Sequence, residues 1–96
     1  MTESSLKSAI LKRLKREPRW CGFSVHAAGA SLNGLPDIVG CWSVRGSYGR
    51  CVCIEVKTAT GRLSKIQGFR LARFTAVGAL VVVARSVRDV EEALGL

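Results

Sequence analysis

The sequence lacks a hydrophobic run of the about eighteen apolar residues that a membrane-spanning helix needs. Its most apolar segment, residues 76–84, has about the length of one buried strand. The N-terminus also lacks the basic-then-apolar order of a secretory signal, because its basic residues alternate with Leu6, Ile10 and Leu14. These absences argue against a membrane or exported protein, and we expect a cytoplasmic one.

The four cysteines lack the CxxC spacing of a zinc site and the export context of a disulfide framework. Cys51 and Cys53 lie two residues apart in an apolar segment, so they should share one face of a strand. We interpret them as small buried hydrophobes rather than as metal ligands or redox groups.

Acidic residues are scarce in the middle of the chain. Fifteen Lys and Arg residues face seven Asp and Glu residues, and the net charge of +8 suits a polyanionic partner. Between Pro18 and Arg88 there are ten basic residues but only two acids, Asp37 and Glu55. A carboxylate in a phosphate-binding protein repels its ligand, so these two acids need a reason, and metal ligation would supply one.

Hydrophobic periodicity predicts a single α/β domain over residues 1–96, with a mixed sheet and a short C-terminal helix. A six-residue face of the second helix, which contains two arginines, is expected to point inward: Ile66, Phe69, Arg70, Arg73, Phe74 and Val77. The elements, in the order α-β-β-β-α-β-α, are a helix over 2–16, strands over 23–28, 36–42 and 50–57, a helix from Ser64, a strand over 80–83 and a helix from Ser86.

The strongest chemical pattern is Gly34-Leu35-Pro36-Asp37 followed by Glu55-Val56-Lys57. Alternation along a strand places Glu55 and Lys57 on the same face. If the second and third strands form a hairpin through residues 43–49, Asp37 at the start of one lies near Glu55 at the end of the other. Two such carboxylates could bind Mg²⁺ or Mn²⁺, and Lys57 could stabilise charge at phosphorus or position the attacking water.

Each fragment also has a structural explanation. A Gly-x-Pro-Asp sequence is common in turns, and Glu-x-Lys on one strand face is often a solvated ion pair. Gln67 has the spacing of a capping box with Ser64, which would explain its presence without a role in catalysis.

Taken together, Asp37 and the Glu55-Val56-Lys57 segment resemble the PD-(D/E)XK nuclease superfamily. The longer segments 34–40 and 53–67 are similar to its VRR-NUC family, the virus-type replication-repair nucleases. The resemblance extends over about residues 3–90. It implies a restriction-endonuclease-like fold, hydrolysis of phosphodiester bonds with Mg²⁺ or Mn²⁺, and Gln67 as a further catalytic residue. Stand-alone viral members are associated with homodimers that cut branched DNA such as Holliday junctions, so a viral protein would act in the host cytoplasm.

The family also expects an acid on the first helix, and Glu3 is the candidate. Helical phase places Glu3 on the stripe of Leu6, Ile10 and Leu14, facing the sheet. An alternative is that an acid in the first turn simply complements the helix dipole. The predicted metal ligands are therefore Asp37, Glu55, Glu3 and the carbonyl of Val56.

Candidate nucleic-acid contacts lie around the start and the inner face of the second helix. A helix N-terminus favours phosphate, and arginine side chains pair with it. The alternative for the arginines is a solvated surface charge. His26, the only histidine, is left without an assigned role, since a packed or loop-bonding histidine is favoured over a general base or a DNA contact. The candidate residues are Arg62, Ser64, Lys65, Arg70 and Arg73.

These observations predict a metal-dependent, structure-selective DNA endonuclease that acts as a homodimer. The alternative is a non-catalytic basic nucleic-acid-binding module. A third hypothesis, a protein-interaction domain with an incidental positive face, predicts no appreciable binding to DNA at modest salt.

Overall fold

The computed structural model describes residues 1–26 and 33–96. Its element order confirms the predicted α/β fold with a mixed sheet and a C-terminal helix. The elements are α1 (Glu3–Lys15), β1 (Trp20–Ser24), β2 (Ile38–Val44), β3 (Tyr48–Val56), α2 (Lys65–Ala76), β4 (Leu80–Ala84) and α3 (Val87–Leu94).

The four strands form one sheet in the order β1-β2-β3-β4. β1 and β3 both pair antiparallel with β2, and β4 pairs parallel with β3. Because α2 connects the two parallel strands, it crosses over the sheet. The adjacent β2 and β3 place Asp37, just before Ile38, beside the end of β3.

Several strand boundaries differ from the prediction, and β2 begins at Ile38 rather than at residue 36. β1 begins at Trp20 rather than at residue 23, because Trp20 already pairs with Trp42 across the sheet. Residues 27 and 28, which we predicted as the end of this strand, lie outside the described residues. The β2–β3 turn is also narrower than predicted: Arg45 and Gly46 take positive φ angles of 48° and 71°, which turn the chain within three residues.

Helices cover both faces of the sheet, and the hydrophobic core lies under α1 and α3. Thr2 caps α1 by accepting from the Ser5 amide, and Leu6, Ile10 and Leu14 are buried as their periodicity predicts. α2 lies on the other face, since its Gln67 contacts Glu55, whose side chain alternates with the core residues Ile54 and Val56. The core cluster contains Leu6, Ile10, Leu14, Ile38, Trp42, Val52, Ile54, Val56, Val82, Ala84, Val90 and Leu94.

The prediction for the inner face of α2 is wrong. The buried residue of this helix is Leu71, whereas Phe69 is 68% and Val77 81% exposed. Arg73 is exposed and Arg70 is half-buried. Periodicity finds a shared face of a helix but does not say which face meets the sheet, and here the phenylalanine-rich face points outward.

The cysteine interpretation is half right. Cys53 is buried, whereas Cys51 on the same strand face is exposed, as are Cys21 and Cys41. The cover over this face of the sheet therefore ends between Cys53 and Cys51. Within residues 1–26 and 33–96, no helix is both long and apolar enough to cross a membrane.

The orientation of α2 predicts unequal costs for two identical substitutions. Leu71→Ala should lower the free energy of unfolding by about 2–5 kcal/mol, because it leaves a cavity under the helix. Leu63→Ala, at the more exposed leucine before the helix, should cost less than about 1 kcal/mol. Urea unfolding followed by circular dichroism measures both, and similar costs would contradict this orientation.

Candidate functional site

Asp37 joins the start of β2 to the end of β3. Its Oδ2 accepts a hydrogen bond from the Val56 amide at 2.7 Å. The β2–β3 register, continued two residues beyond the Ile38–Ile54 pair, brings Val56 opposite Pro36. The Asp37 carboxylate, rather than the carbonyl of Pro36, accepts from this amide at the place where the ladder ends.

Glu55 is the buried acid of the site, with 2% of its surface exposed. Its Oε2 accepts from the Gln67 side-chain amide at 3.1 Å and lies 3.6 Å from Lys57 Nζ. Its Oε1 is buried and has no hydrogen-bond partner among residues 1–26 and 33–96. A buried carboxylate oxygen without a partner is costly, so this atom is suited to binding a cation.

Burial and, after it, the nearby Asp37 carboxylate together raise the pKa of Glu55 to about 7. Lys57 acts in the opposite direction but does not outweigh these two causes. Two carboxylates that face each other in a desolvated place resist ionising together. A divalent cation between them would relieve that repulsion and also supply a partner for Glu55 Oε1.

Gln67 fills both roles that the sequence left open. Its side-chain oxygen accepts from the Ser64 backbone amide at 2.9 Å, and its backbone amide donates to the Ser64 hydroxyl at 3.2 Å. At the same time its Nε2 donates to Glu55. The capping box therefore fixes the orientation of the amide that holds Glu55, so the cap and the site are one arrangement.

Lys57 lies between two acids and is 9% exposed. Its Nζ is 3.6 Å from Glu55 Oε2 and 3.9 Å from Glu3 Oε1. The Glu3 side chain is 53% exposed and comes from the first turn of α1. The structure thus brings Glu3 to the site through Lys57.

The donor set fits a hard divalent cation. Asp37 and Glu55 supply two carboxylates. The Val56 carbonyl is a third donor, because Pro36 opposite it has no N–H to occupy it. Within the described ranges, 1–26 and 33–96, no group of three His, Cys, Asp or Glu side chains converges to hold an ion. That count suits Mg²⁺, which binds through one or two carboxylates and keeps several waters.

A groove of about 550 Å³ opens beside Asp37, between α1 and the end of β1. Glu3 and Asp37 lie at its edge next to Lys57, so it continues directly from the acid pair. Its polar lining comes from Ser4, Lys7, Ser8, Ser24 and His26. The structure therefore places His26 in a solvent-accessible groove at the site, a position that its sequence context did not reveal.

The predicted nucleic-acid contacts fall into two groups. Arg62, Lys65 and Arg73 are exposed, as a phosphate contact requires. The Ser64 hydroxyl already accepts from the Gln67 amide, and Arg70 Nε donates to the Asn33 carbonyl at 2.6 Å. These last two side chains hold α2 and the loop before Pro36 in place.

Two residues that position the site were missed by sequence analysis. Arg85 Nη1 donates to the carbonyls of Thr58 at 2.6 Å and Gly61 at 2.7 Å, which fixes the loop between β3 and α2. Gly34 has a φ of +80°, and a Cβ there would lie 3.0 Å from the Ile66 backbone. A glycine before Pro-Asp was a usable signal for the second contact, whereas nothing local in the sequence marks Arg85.

The VRR-NUC domain model matches residues 1–88 of this chain. The chain belongs to the VRR-NUC family. This is a nuclease family.

The fold comparison agrees with that membership. A solved structure described as a VRR_NUC domain protein superposes with a TM-score of 0.72, covering 99% of this chain and 86% of that one. At 17% identity, this likeness shows the fold alone. The search of curated proteins gives no match.

The raised pKa of Glu55 predicts that the metal-free protein loses stability as the pH rises. Its folded pKa of about 7 lies above the ordinary 4.5, so the folded state holds the extra proton and Glu55 favours folding most below pH 4.5. That contribution should be lost between about pH 4.5 and 7. Thermal unfolding in EDTA across this range measures it.

Glu55→Gln should flatten this part of the pH profile, because the amide does not titrate. Glu92→Gln, at an exposed glutamate of α3, is the control and should leave the slope as it is. Equal slopes in the wild type and Glu55→Gln would contradict the assignment.

Proposed function

We propose that this VRR-NUC chain is a Mg²⁺- or Mn²⁺-dependent endonuclease that hydrolyses phosphodiester bonds in structured DNA. The supporting observation is the pairing of half-buried Asp37 with buried Glu55, with Lys57 Nζ 3.6 Å from Glu55 Oε2, in a chain of net charge +8. A protein that only bound DNA would gain nothing from burying an acid whose oxygen has no partner.

Asp37, Glu55 and the Val56 carbonyl would hold the metal. When bound there, Mg²⁺ or Mn²⁺ supplies Lewis acidity toward the phosphate and lowers the pKa of a bound water. The geometry gives Glu3 a peripheral role, since its contact is with Lys57 rather than with the acid pair.

Lys57 is the cationic group of the site. Its ammonium can donate to the attacking water or to a non-bridging phosphate oxygen as negative charge develops at phosphorus. The flanking acids hold its ammonium in place, and its low exposure means that little water screens its charge. Gln67 positions Glu55 through a hydrogen bond that its own cap keeps aligned.

DNA is the substrate that the charge favours. Exposed arginine and lysine side chains near the start of α2, Arg62 and Lys65, lie on one side of the acid pair, and the groove with Lys7 and His26 lies on the other. A backbone that crosses the site would meet positive charge before and after the scissile phosphate. We therefore assign phosphate contacts to Arg62, Lys65 and Arg73.

Branched DNA and a homodimer belong to the same proposal. The family resemblance suggests both, and the exposed Phe69 and Val77 of α2 give two large apolar side chains that a second copy would cover. A dimer would present two equivalent sites to the two strands of a symmetric junction. Light scattering tests the dimer, and a four-way junction compared with linear duplex tests the preference.

The nuclease proposal predicts that cleavage and binding separate. Asp37→Asn keeps an acceptor for the Val56 amide but weakens metal ligation, and Lys57→Ala removes the cation. Each should lower cleavage by roughly 10²–10⁴-fold with little loss of DNA affinity. The measurement is cleavage and gel-shift binding on single-stranded, flap, duplex and four-way-junction DNA, with Mg²⁺, Mn²⁺ or EDTA.

Glu92→Gln is the matched control for these variants, because it changes an acid on the exposed side of α3. If the protein bound DNA in a salt-sensitive way but gave no metal-dependent product from any substrate, the enzyme hypothesis would be rejected in favour of the non-catalytic binding module. Absence of binding at modest salt would favour the protein-interaction domain.

Gln67→Glu separates the cap from the site. A glutamate at this position still completes a capping box with Ser64, but it cannot donate to Glu55 and adds a negative charge beside it. We expect a thermal midpoint close to that of the wild type and cleavage lowered by roughly 10–100-fold. Gln67→Ala, which loses both contacts, should lower both quantities, and full activity in Gln67→Glu would show that Gln67 serves the cap alone.

A further inference from the structure

Three exposed cysteines lie side by side on the α2 face of the sheet. The register pairs Cys21 of β1 with Cys41 of β2, and Cys41 in turn with Cys51 of β3. All three are free and exposed. The active-site residues do not include them, so this row is a separate cluster of nucleophilic groups.

The two pairs in the row differ in their backbone geometry. Both ends of the β1–β2 ladder show hydrogen bonds, from Val25 N to Asp37 O at 2.8 Å and from Ser43 N to Arg19 O at 2.9 Å. Hydrogen-bonded pairs recur at every second residue of an antiparallel ladder. Counting from either end, Cys41 is a position whose N–H and C=O point toward β1.

Cys21 and Cys41 are therefore a hydrogen-bonded pair, with Cα atoms typically about 5.5 Å apart. Since Cys41 turns its backbone polar groups to β1, Cys41 and Cys51 are a non-hydrogen-bonded pair, for which the separation is about 4.5 Å and the side chains lie closer. That separation is within the about 4.4–6.8 Å that a disulfide requires.

The direction of the Cys41 side chain also favours β3. Its sulfur lies 3.0 Å from the place that a Cβ on Gly49 would occupy, and Gly49 is on β3, two residues before Cys51. The sulfur thus already lies over β3 rather than over β1. Because Gly49 has no side chain, the Cys41 sulfur can occupy this place over β3.

We propose that Cys41 and Cys51 form a cross-strand disulfide by exchange with a small-molecule disulfide such as oxidised glutathione. The thiolate of one cysteine attacks the glutathione S–S bond, forms a mixed disulfide and releases one glutathione thiolate. The thiolate of the other attacks the protein sulfur of that mixed disulfide and expels the second. The two protons lost by the cysteines go to the two released glutathione thiolates.

The remaining cysteines should stay reduced. Cys53 is buried, and its burial raises the pKa of its thiol to about 12, so it forms little thiolate. The one neighbour of Cys21 in the row is Cys41, and these two form the hydrogen-bonded pair, whose Cα atoms are farther apart. The Cys41 sulfur also points toward β3, away from Cys21.

The bond would join the strands that hold the two acids. Cys41 follows Asp37 by four residues, and Cys51 precedes Glu55 by four residues. A covalent link there fixes the β2–β3 register, so the oxidised protein should unfold at a higher temperature than the reduced one. The inference uses the register and the exposed thiols alone and does not rest on the proposed nuclease activity.

The experiment incubates the full chain with oxidised glutathione, alkylates the remaining thiols and measures the intact mass. We expect a monomer with one internal disulfide and two alkylated cysteines in the wild type. Cys21→Ser should also form the bond, whereas Cys41→Ser and Cys51→Ser should not. Serine at exposed positions should leave the fold intact, which circular dichroism verifies for each variant.

Three results would overturn the proposal: a bond in Cys51→Ser, which would place it between Cys21 and Cys41, a disulfide between two chains, or stable glutathione adducts on Cys41 and Cys51. The thermal midpoint gives a second readout. A rise on oxidation that dithiothreitol reverses, present in Cys21→Ser and absent in Cys51→Ser, supports the cross-strand bond.

Discussion

The hydrogen bond from the Val56 amide to Asp37 is the contact on which the site depends. It is made where the β2–β3 ladder ends, opposite Pro36, which has no N–H to donate to the Val56 carbonyl. A single short side chain thus closes the ladder and brings its carboxylate to the residue next to Glu55. The Pro-Asp sequence therefore marks the beginning of β2 and also positions one of the two acids.

The second constraint is electrostatic. The chain is strongly basic, yet it buries one acid beside another. The energetic cost appears as a raised pKa of Glu55 and as a Glu55 oxygen without a partner among the described residues. Lys57 offsets only part of this. Such an arrangement is unfavourable in the metal-free protein, and in the proposed mechanism a bound divalent cation would offset the repulsion between the two carboxylates.

Much of the fold follows from local patterns. The α1 stripe, both serine caps and the order of elements could be read from periodicity and capping residues, because each depends on neighbours within one or two turns. The outward orientation of one face of α2 could not be predicted from the sequence, because helical periodicity is equally strong for a face that meets the sheet and for one that does not. The start of β1 was also missed, because it depends on pairing with Trp42 far along the chain.

The site shows the same division. The strand alternation of Glu55 and Lys57 and the nearness of Asp37 followed from the hairpin, and the structure has both. The double use of Gln67 and the Arg85 contacts to the β3–α2 loop required three-dimensional positions. Sequence spacing offers alternatives such as cap or ligand, whereas only the packed helix shows that one amide can serve both.

The central claim is that Asp37 and Glu55 form a divalent-cation site whose ionisation is linked to metal binding. Calorimetric titration of the DNA-free protein with Mn²⁺, in buffers of different ionisation enthalpy, tests it most directly. The account predicts binding that tightens as the pH rises toward and above about 7, releases a proton below that pH, and is strongly weakened in Asp37→Asn. Mn²⁺ binding that is independent of pH and unchanged in Asp37→Asn would contradict it.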